Sequence, residues 1–166
     1  MTPSSSLTIS LATESHRVVL ERLWTMFRHD MSAYSGTLPD ENGGFRQERL
    51  DNALTRDGWD GYLIGLKSRP VGLCIVRHVG SAEQIISSFF LVNPARRSGH
   101  GRAAVRAVMN RHRGHWAVAF HEANTAAAAF WRTIAAEADP AWTIEEADAP
   151  GRPDLPRDSW IRFRVL

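Results

Sequence analysis

The sequence has little of what marks a secreted or membrane protein. Its 166 residues include one cysteine, Cys74, so no internal disulfide can form, and the apolar run around it predicts a core residue rather than a nucleophile. No run approaches the roughly 18 apolar residues that span a bilayer. Residues 1–6 are polar and lack the cationic and apolar regions of a signal peptide. These absences predict a cytoplasmic protein with no membrane partner.

An excess of charge of one sign is also missing. The formal net charge is +2, which is too small to indicate nucleic acid as a partner. Six arginines nevertheless lie within residues 96–113, with no aromatic residues between them. Two interpretations stay open for these arginines: a solvated helix face, or attraction of an anionic cofactor. With 43% hydrophobic residues, the chain predicts one globular domain over 1–166.

Hydrophobic periodicity predicts a mixed α/β domain of order β-α-α-β-β-β-α-β-α-β-β. Thr13 and Asn124 are predicted as helix N-caps, and Gly114 as a C-terminal glycine of the third helix. Loops are predicted at 32–44 and 148–156. The predicted strands are 7–12, 59–66, 71–79, 84–92, 115–120, 142–145 and 159–165, and the predicted helices start near 13, 45, 102 and 124.

The stretch 85–102 organises the rest of the chain. An apolar strand over 85–92 ends at Asn93-Pro94, a glycine-spaced basic loop follows, and a helical pattern begins at Arg102. A strand, a Gly-x-Gly turn and a helix N-terminus together predict an anion site, to which the loop arginines add charge suited to a pyrophosphate. A Walker loop is excluded, because Arg102-Ala103 stands where Lys-Ser/Thr would be needed. A dinucleotide-binding fold usually opens with its glycine loop, whereas about ninety residues precede this one.

Two segments resemble the GNAT superfamily of N-acetyltransferases. Residues 96–101, Arg-Arg-Ser-Gly-His-Gly, are similar to the Arg/Gln-x-x-Gly-x-Gly/Ala motif that binds the pyrophosphate of acetyl-coenzyme A in those enzymes. Residues 124–131, Asn-Thr-Ala-Ala-Ala-Ala-Phe-Trp, resemble the Asn-x-x-Ala-x-x-aromatic segment that follows the next strand. The resemblance is specific over 85–137, and the Phe-Trp-Arg ending indicates a sparsely characterised bacterial-type branch.

The resemblance implies a fold and a cofactor. The expected fold is a single GNAT-type domain, α/β (α+β), with a mixed sheet of about seven strands, about four helices and a splay after the fourth strand. Acetyl-coenzyme A is the implied co-substrate, and no metal is implied. The pantetheine arm and the thioester oxygen would bind backbone groups near Leu91 and Val92. The other implied cofactor contacts are Arg96, Arg97, Ser98, Gly99, His100, Gly101, Arg102, Asn124 and Trp131.

Proton-transfer residues are less evident in the sequence. Ile86 stands where many relatives carry a glutamate base, and Trp131 stands where the family's tyrosine acid is expected. His121 follows the strand 115–120 near the expected splay and is a candidate base, because histidines titrate near neutral pH. The alternative, which the pattern favours, is an ordinary hydrogen-bonded or surface histidine. Ser88 could relay a proton through water.

The expected acceptor pocket lies between the first helix, the 32–44 loop and the central strand. Asp30, Tyr34, Asp40 and Glu41 are candidates for holding a cationic amine, and a solvated acidic loop is the alternative. The predicted function is direct transfer of acetyl from coenzyme A to a primary amine of a small molecule, amino acid or peptide. A non-catalytic acyl-coenzyme A sensor or protein-interaction module is the alternative. The oligomeric state stays open, with a homodimer among the options.

Overall fold

A single mixed β-sheet organises the chain in the computed structural model, which describes residues 6–149 and 151–166. The sheet has seven strands in the order β1-β2-β3-β4-β5-β7-β6. The strands are β1 (Leu7–Leu11), β2 (Trp59–Leu66), β3 (Arg69–Arg77), β4 (Glu83–Leu91), β5 (Gly114–Phe120), β6 (Thr143–Ala147) and β7 (Asp158–Val165). The helices are α1 (Arg17–Ser35), α2 (Glu48–Thr55), α3 (His100–Arg111) and α4 (Thr125–Ala138).

The predicted order of strands and helices is confirmed, and several boundaries differ, among them the start of α2 at Glu48 rather than 45 and β3 at Arg69–Arg77 rather than 71–79. Thr13 caps a single 3-10 turn, Glu14–His16, so α1 itself begins later than predicted. At its other end α1 continues through polar residues until Gly36, whose φ of 68° supplies the left-handed C-cap. Gly114 is the first residue of β5 and not the end of α3, so its prediction as a helix-terminating glycine is wrong. Most of residues 1–6, and position 150 of the 148–156 loop, lie outside the described residues.

Two hydrophobic cores lie on opposite faces of the sheet. On the first, called here the α1/α2 face, Leu20, Trp24 and Phe27 of α1 pack with Leu50 of α2 and Phe90 of β4. On the other, the α3/α4 face, the buried residues include Val105, Val108, Trp116, Trp131 and Ile134. Burial of each such side chain contributes roughly 1.5–3 kcal/mol, so both helical layers are fixed firmly to the sheet.

The sheet opens in the middle, between its two central strands. β4 pairs in parallel with β5 only over 83–86 and 115–118, whereas its pairing with β3 continues to Leu91. The β3–β4 register shifts between Ile75 and Val76, so Ser87 is an extra, bulged residue in β4. The bulge turns the second half of β4 away from β5 and produces the predicted splay. We call the space between 87–91 and the end of β5 the opening.

Among the described residues, no helix combines the length and the apolar character that crossing a lipid bilayer requires.

Candidate functional site

The loop between β4 and α3 presents backbone N–H groups to solvent. Its backbone is left-handed at Arg97 (φ 64°) and at Gly99 (φ 81°), which is the N-cap of α3. The first helical N–H that donates to a carbonyl is that of Ala103, to Gly99 O at 3.1 Å. The N–H groups of residues 100–102 therefore have no backbone acceptor within the described chain. Together with the helix dipole, these N–H groups make the start of α3 suited to binding an anion, which is where the sequence predicts an anion site.

Two of the three loop arginines have partners inside the protein. Arg96 donates through Nε to Leu91 O at 2.7 Å and pairs with Asp30 at 2.5 Å. Arg102 pairs with Glu137 on α4, which also pairs with Arg106 at 2.6 Å.

The third arginine, Arg97, is exposed at the left-handed turn of the loop. The arginines at the two ends of the motif therefore fix the loop against α1 and α4. Arg97 and the N–H groups of residues 100–102 are therefore available to bind an anion.

Gly101 allows α3 to approach its neighbours closely. A Cβ at this position would lie 3.3 Å from Phe130 Cε2 and 3.6 Å from Leu91 Cδ1. Phe130 in turn stacks on Phe89 at 5.5 Å, and Trp131 meets the Phe130 ring edge-on at 4.8 Å. Trp131 is buried within this aromatic cluster, where it fills the space between β4 and α4.

Asn124 begins α4 beside the opening. Its Oδ1 accepts a hydrogen bond from Ala127 N at 3.2 Å, so the predicted N-cap is confirmed. Its own N–H donates to His121 O at 2.9 Å. The cap therefore also fixes the turn that carries His121.

His121 lies at the α1/α2 side of the opening, directly after β5. Its Nδ1 accepts a hydrogen bond from Ala123 N at 3.1 Å, and its ring stacks on Tyr34 with centroids 6.5 Å apart. Because Nδ1 is an acceptor here, the hydrogen-bond pattern assigns the proton of neutral His121 to Nε2. This arrangement leaves Nε2–H of neutral His121 as a hydrogen-bond donor.

Asp158 is a residue beside the opening that the sequence did not reveal. It is the first residue of β7, and the pairing of Phe120 with Ser159 places it beside the end of β5. Burial raises the pKa of the Asp158 carboxyl, and the nearby charges of His121 and Arg49 oppose that rise only in part. No local pattern identifies it, because its neighbours come from strand pairing across the sheet.

Ser88 is buried at the bulge with its hydroxyl unused. It is 4% exposed, it lies opposite Ile75 on the α1/α2 face, and its Oγ has no hydrogen-bond partner in the described chain. The carbonyl of Ser87 beside it accepts a hydrogen bond from Arg49 Nη1 at 3.1 Å.

The acidic residues considered for the acceptor pocket are placed differently from one another. Asp30 is engaged by Arg96, and Asp40 Oδ1 accepts from Asn42 N and Gly44 N, each at 2.9 Å, within its own turn. Glu41 is exposed, and Tyr34 lies against His121 at the end of α1. Of this group, Tyr34 is the residue that packs against His121 beside the opening. Within the described part of the chain, no three acidic, histidine or cysteine side chains form a metal site.

No protein-family model and no curated protein matches the chain. Solved structures do match it by fold. A GNAT-family acetyltransferase from Staphylococcus aureus Mu50 superposes with a TM-score of 0.66 at 10% identity, over 97% of this chain and 100% of that one. The PaiA N-acetyltransferase of Thermoplasma acidophilum, in complex with coenzyme A, gives 0.68 at 11% identity, over 96% and 99%. RimL, a ribosomal L7/L12 alpha-N-protein acetyltransferase in complex with coenzyme A, gives 0.68 at 16% identity, over 98% and 96%.

The chain therefore has the fold of the GNAT acetyltransferases. The predicted mixed sheet of seven strands with four helices is confirmed.

Proposed function

We propose that the protein is an acetyl-coenzyme A-dependent N-acetyltransferase that moves the acetyl group directly to a primary amine. One observation carries this proposal: the free N–H groups at the start of α3 lie at the end of the strand that borders the opening. A pyrophosphate bound at these N–H groups would direct the extended thioester arm of the cofactor into the opening. Structures of the same fold with coenzyme A bound support the assignment.

The residues present fit coenzyme A. Arg97 and the N–H groups of 100–102 would hold the pyrophosphate, and the edge of β4 would hold the pantetheine arm. The N–H of Val92 already donates to Val71 O at 2.8 Å, so it belongs to the pairing with β3. Because N–H directions alternate along a strand, the N–H of Leu91 points towards the opening. We assign it to the thioester oxygen, whose developing charge it would stabilise.

Proton transfer falls to side chains on the α1/α2 side of the opening. The bound cofactor supplies an activated acetyl group on a thiol leaving group. A thiol with a pKa near ~8.5 can leave as thiolate without an obligatory acid. We assign removal of the amine proton to Asp158, directly or through a water held by Ser88, and we assign His121 Nε2–H to orienting the reacting groups.

A thiol-release assay over a panel of amines, amino acids and peptides tests the proposal. We expect acetyl-coenzyme A to bind and at least one amine to release free coenzyme A. The absence of glutamate at position 86 and of tyrosine at 131 favours one competing function, a non-catalytic acyl-coenzyme A-binding module. Cofactor binding with no thiol release from any amine would establish that competitor instead.

Gly101→Val should weaken coenzyme A binding at least about tenfold, or roughly 1.4 kcal/mol. A Cβ already lies 3.3 Å from Phe130 Cε2, so the larger side chain would displace the first turn of α3 and its N–H groups. Calorimetric titration of the folded variant measures the effect. Asn110→Val provides the control, since Asn110 is exposed near the opposite end of α3. Equal affinity in Gly101→Val and the wild type would reject the assigned loop.

Asn124→Ala should lower the free energy of unfolding by about 1 kcal/mol, because the N-cap hydrogen bond to Ala127 N is lost. The Michaelis constant for acetyl-coenzyme A should rise as well if Asn124 contacts the cofactor. Denaturant unfolding and steady-state kinetics separate the two effects. A loss of stability with unchanged kinetics would leave only the capping role.

A further inference from the structure

Three arginines without acidic partners approach the bulge of β4 on the α1/α2 face: Arg28 of α1, Arg49 of α2 and Arg77 at the end of β3. In the described chain, none of the three forms an ion pair with a carboxylate. Most other arginines of the structure do, as Arg96 and Arg132 illustrate with pairs at 2.5 and 2.7 Å. Other arginines, Arg97 among them, also lack ion pairs, but on this face the Nε atoms of Arg28 and Arg77 are in addition buried without a hydrogen-bond partner in the described chain.

Strand register and a hydrogen bond bring two of the three side chains to the bulge. Arg77 lies opposite Ile85 in the β3–β4 ladder and so shares a face with Ser88, which lies opposite Ile75. Arg49 reaches the bulge itself, since its Nη1 donates to Ser87 O.

Arg28 approaches the same face from α1. It follows Phe27, whose ring lies 6.1 Å from that of Phe90 on β4, and its guanidinium lies over Phe45 at 5.9 Å. Arg28 lies close enough to Arg49 for its charge to lower the pKa of Arg49, so helix α1 adds a third cation to this face.

Several donors of this cluster are buried and unused. The Nε atoms of Arg28 and Arg77 and the Oγ of Ser88 are buried without a hydrogen-bond partner in the described chain. Burial lowers the pKa of Arg28 and of Arg77. Desolvation also lowers the pKa of Arg49, and the positive charges of Arg77 and Arg28 lower it further. Leaving such groups unpaired costs stability, which a ligand of opposite charge would restore.

The positive charge of Arg28, Arg49 and Arg77 selects against a polycationic acceptor. Asp158 is the acidic group that influences Arg49, and no carboxylate lies within ion-pair distance of the three arginines in the described residues. A guanidinium presents its donors in a planar fork that matches a carboxylate. Ser88 Oγ adds a donor between the arginines and the opening.

We propose that the acceptor is an amine that also carries a carboxylate, and that Arg28, Arg49 and Arg77 bind this carboxylate with Ser88 donating to it. The inference rests on the proposed acetyltransferase function and specifies its substrate class. The carboxylate belongs either to a free amino acid or to an acidic residue of a peptide. In both cases Asp158 and His121 lie on the same face as the arginines, at the end where the amine must meet the thioester.

The charges of the three arginines also compensate for the absence of a glutamate base at position 86. A cation near the attacking amine favours its neutral form, which is the nucleophile. The cluster would therefore lower the pKa of the acceptor amine at the same time as it binds the carboxylate. A weaker proton acceptor than a dedicated glutamate at position 86 then suffices.

Matched acceptors and matched variants test the proposal. Free amino acids are compared with their amides, and amidated peptides carrying aspartate near the N-terminus with the corresponding asparagine peptides. For every acceptor that the wild type acetylates, we expect kcat/KM to be at least about tenfold higher for the acid form than for the matching amide form. Arg49→Gln and Arg77→Gln should remove most of that preference by raising KM for acids, with little change for amides. Arg22→Gln is the control, because Arg22 is an exposed arginine of α1.

A binding experiment keeps the proposal independent of turnover. Coenzyme A-saturated protein is titrated with N-acetylglycine and with N-acetylglycinamide, and we expect only the former to bind in an Arg77-dependent way. Arg28→Gln should weaken N-acetylglycine binding in the same way, and Arg28→Lys, which keeps the charge but loses the planar fork, replaces it if that variant does not fold. Equal use of acids and amides, or equal loss for both in the arginine variants, would overturn the inference while leaving acetyl transfer in place. If N-acetylglycine binds but no amine of the panel releases coenzyme A thiol, the transferase function is refuted and the anion site is retained.

Discussion

Gly72→Ala should lower the free energy of unfolding by about 2–3 kcal/mol, the range expected for overpacking that the backbone must absorb. A Cβ on Gly72 would lie well inside van der Waals contact of Phe90 O and 2.7 Å from Leu91 Cδ2. The carbonyl belongs to the neighbouring strand and cannot rotate away, so β3 and β4 must separate. Thermal unfolding should show a midpoint lower by roughly 5–10 °C for a domain of this size.

Gly65→Ala is the matched control for this effect. Its Cβ would also meet an atom at short distance, Thr8 Oγ1 at 2.5 Å, but that atom is the end of an exposed side chain that can change rotamer. We expect a loss below about 1 kcal/mol. If both glycine variants proved equally stable, the close approach of β3 to the second half of β4 would be incorrect.

Asp158→Asn should reduce kcat about a hundredfold, at the lower end of what loss of a general base costs. The asparagine keeps the shape of the side chain and removes its ability to take a proton. Trp131→Phe is the comparison, because Trp131 packs edge-on against the stacked rings of Phe89 and Phe130 and its replacement should keep turnover within about tenfold. The loss of kcat in His121→Ala should lie between the losses in Asp158→Asn and Trp131→Phe. A hundredfold loss in the Trp131 variant with normal cofactor affinity would give the indole a role in the reaction.

The pH dependence of the reaction distinguishes a proton acceptor from a structural residue. The pKa of Asp158 lies above the ordinary 3.8 because burial disfavours the charged form. Only the carboxylate can accept a proton, so the wild-type rate should fall as pH decreases through this raised pKa. In Asp158→Asn the acidic limb should disappear. An unchanged acidic limb in that variant would assign the titration to another group.

Much of the fold was predictable because its signals are local. The strand Trp59–Leu66 follows from an apolar run between turn residues, and the start of α4 follows from Asn124 and the periodicity after it. The glycine loop was recognisable for the same reason, since a strand, left-handed turn and helix N-terminus are contiguous in sequence. The end of α1 was not, because the apolar stripe stops at Met31 while the helix continues to Gly36.

Most of the acceptor side could not be predicted, because it depends on register. The bulge at Ser87 appears only when β4 is paired with β3, and Asp158 reaches the opening only through the pairing of β7 with β5. Arg28 and Arg77 are 49 positions apart in sequence. Their convergence is a property of the sheet and of the helices packed on it, and no spacing in the sequence shows it.

The burial of Cys74 gives the protein a chemical reporter of its own local unfolding. Its side chain is fully buried in β3, and burial raises the pKa of its thiol to about 12, so almost no thiolate exists in the folded state. A thiol-directed reagent can therefore label the chain only after the α3/α4 layer has separated from the sheet. Under conditions where closing is faster than labelling, the modification rate measures the free energy of that separation residue-specifically. The folded protein also adds no background to any assay that counts coenzyme A thiols.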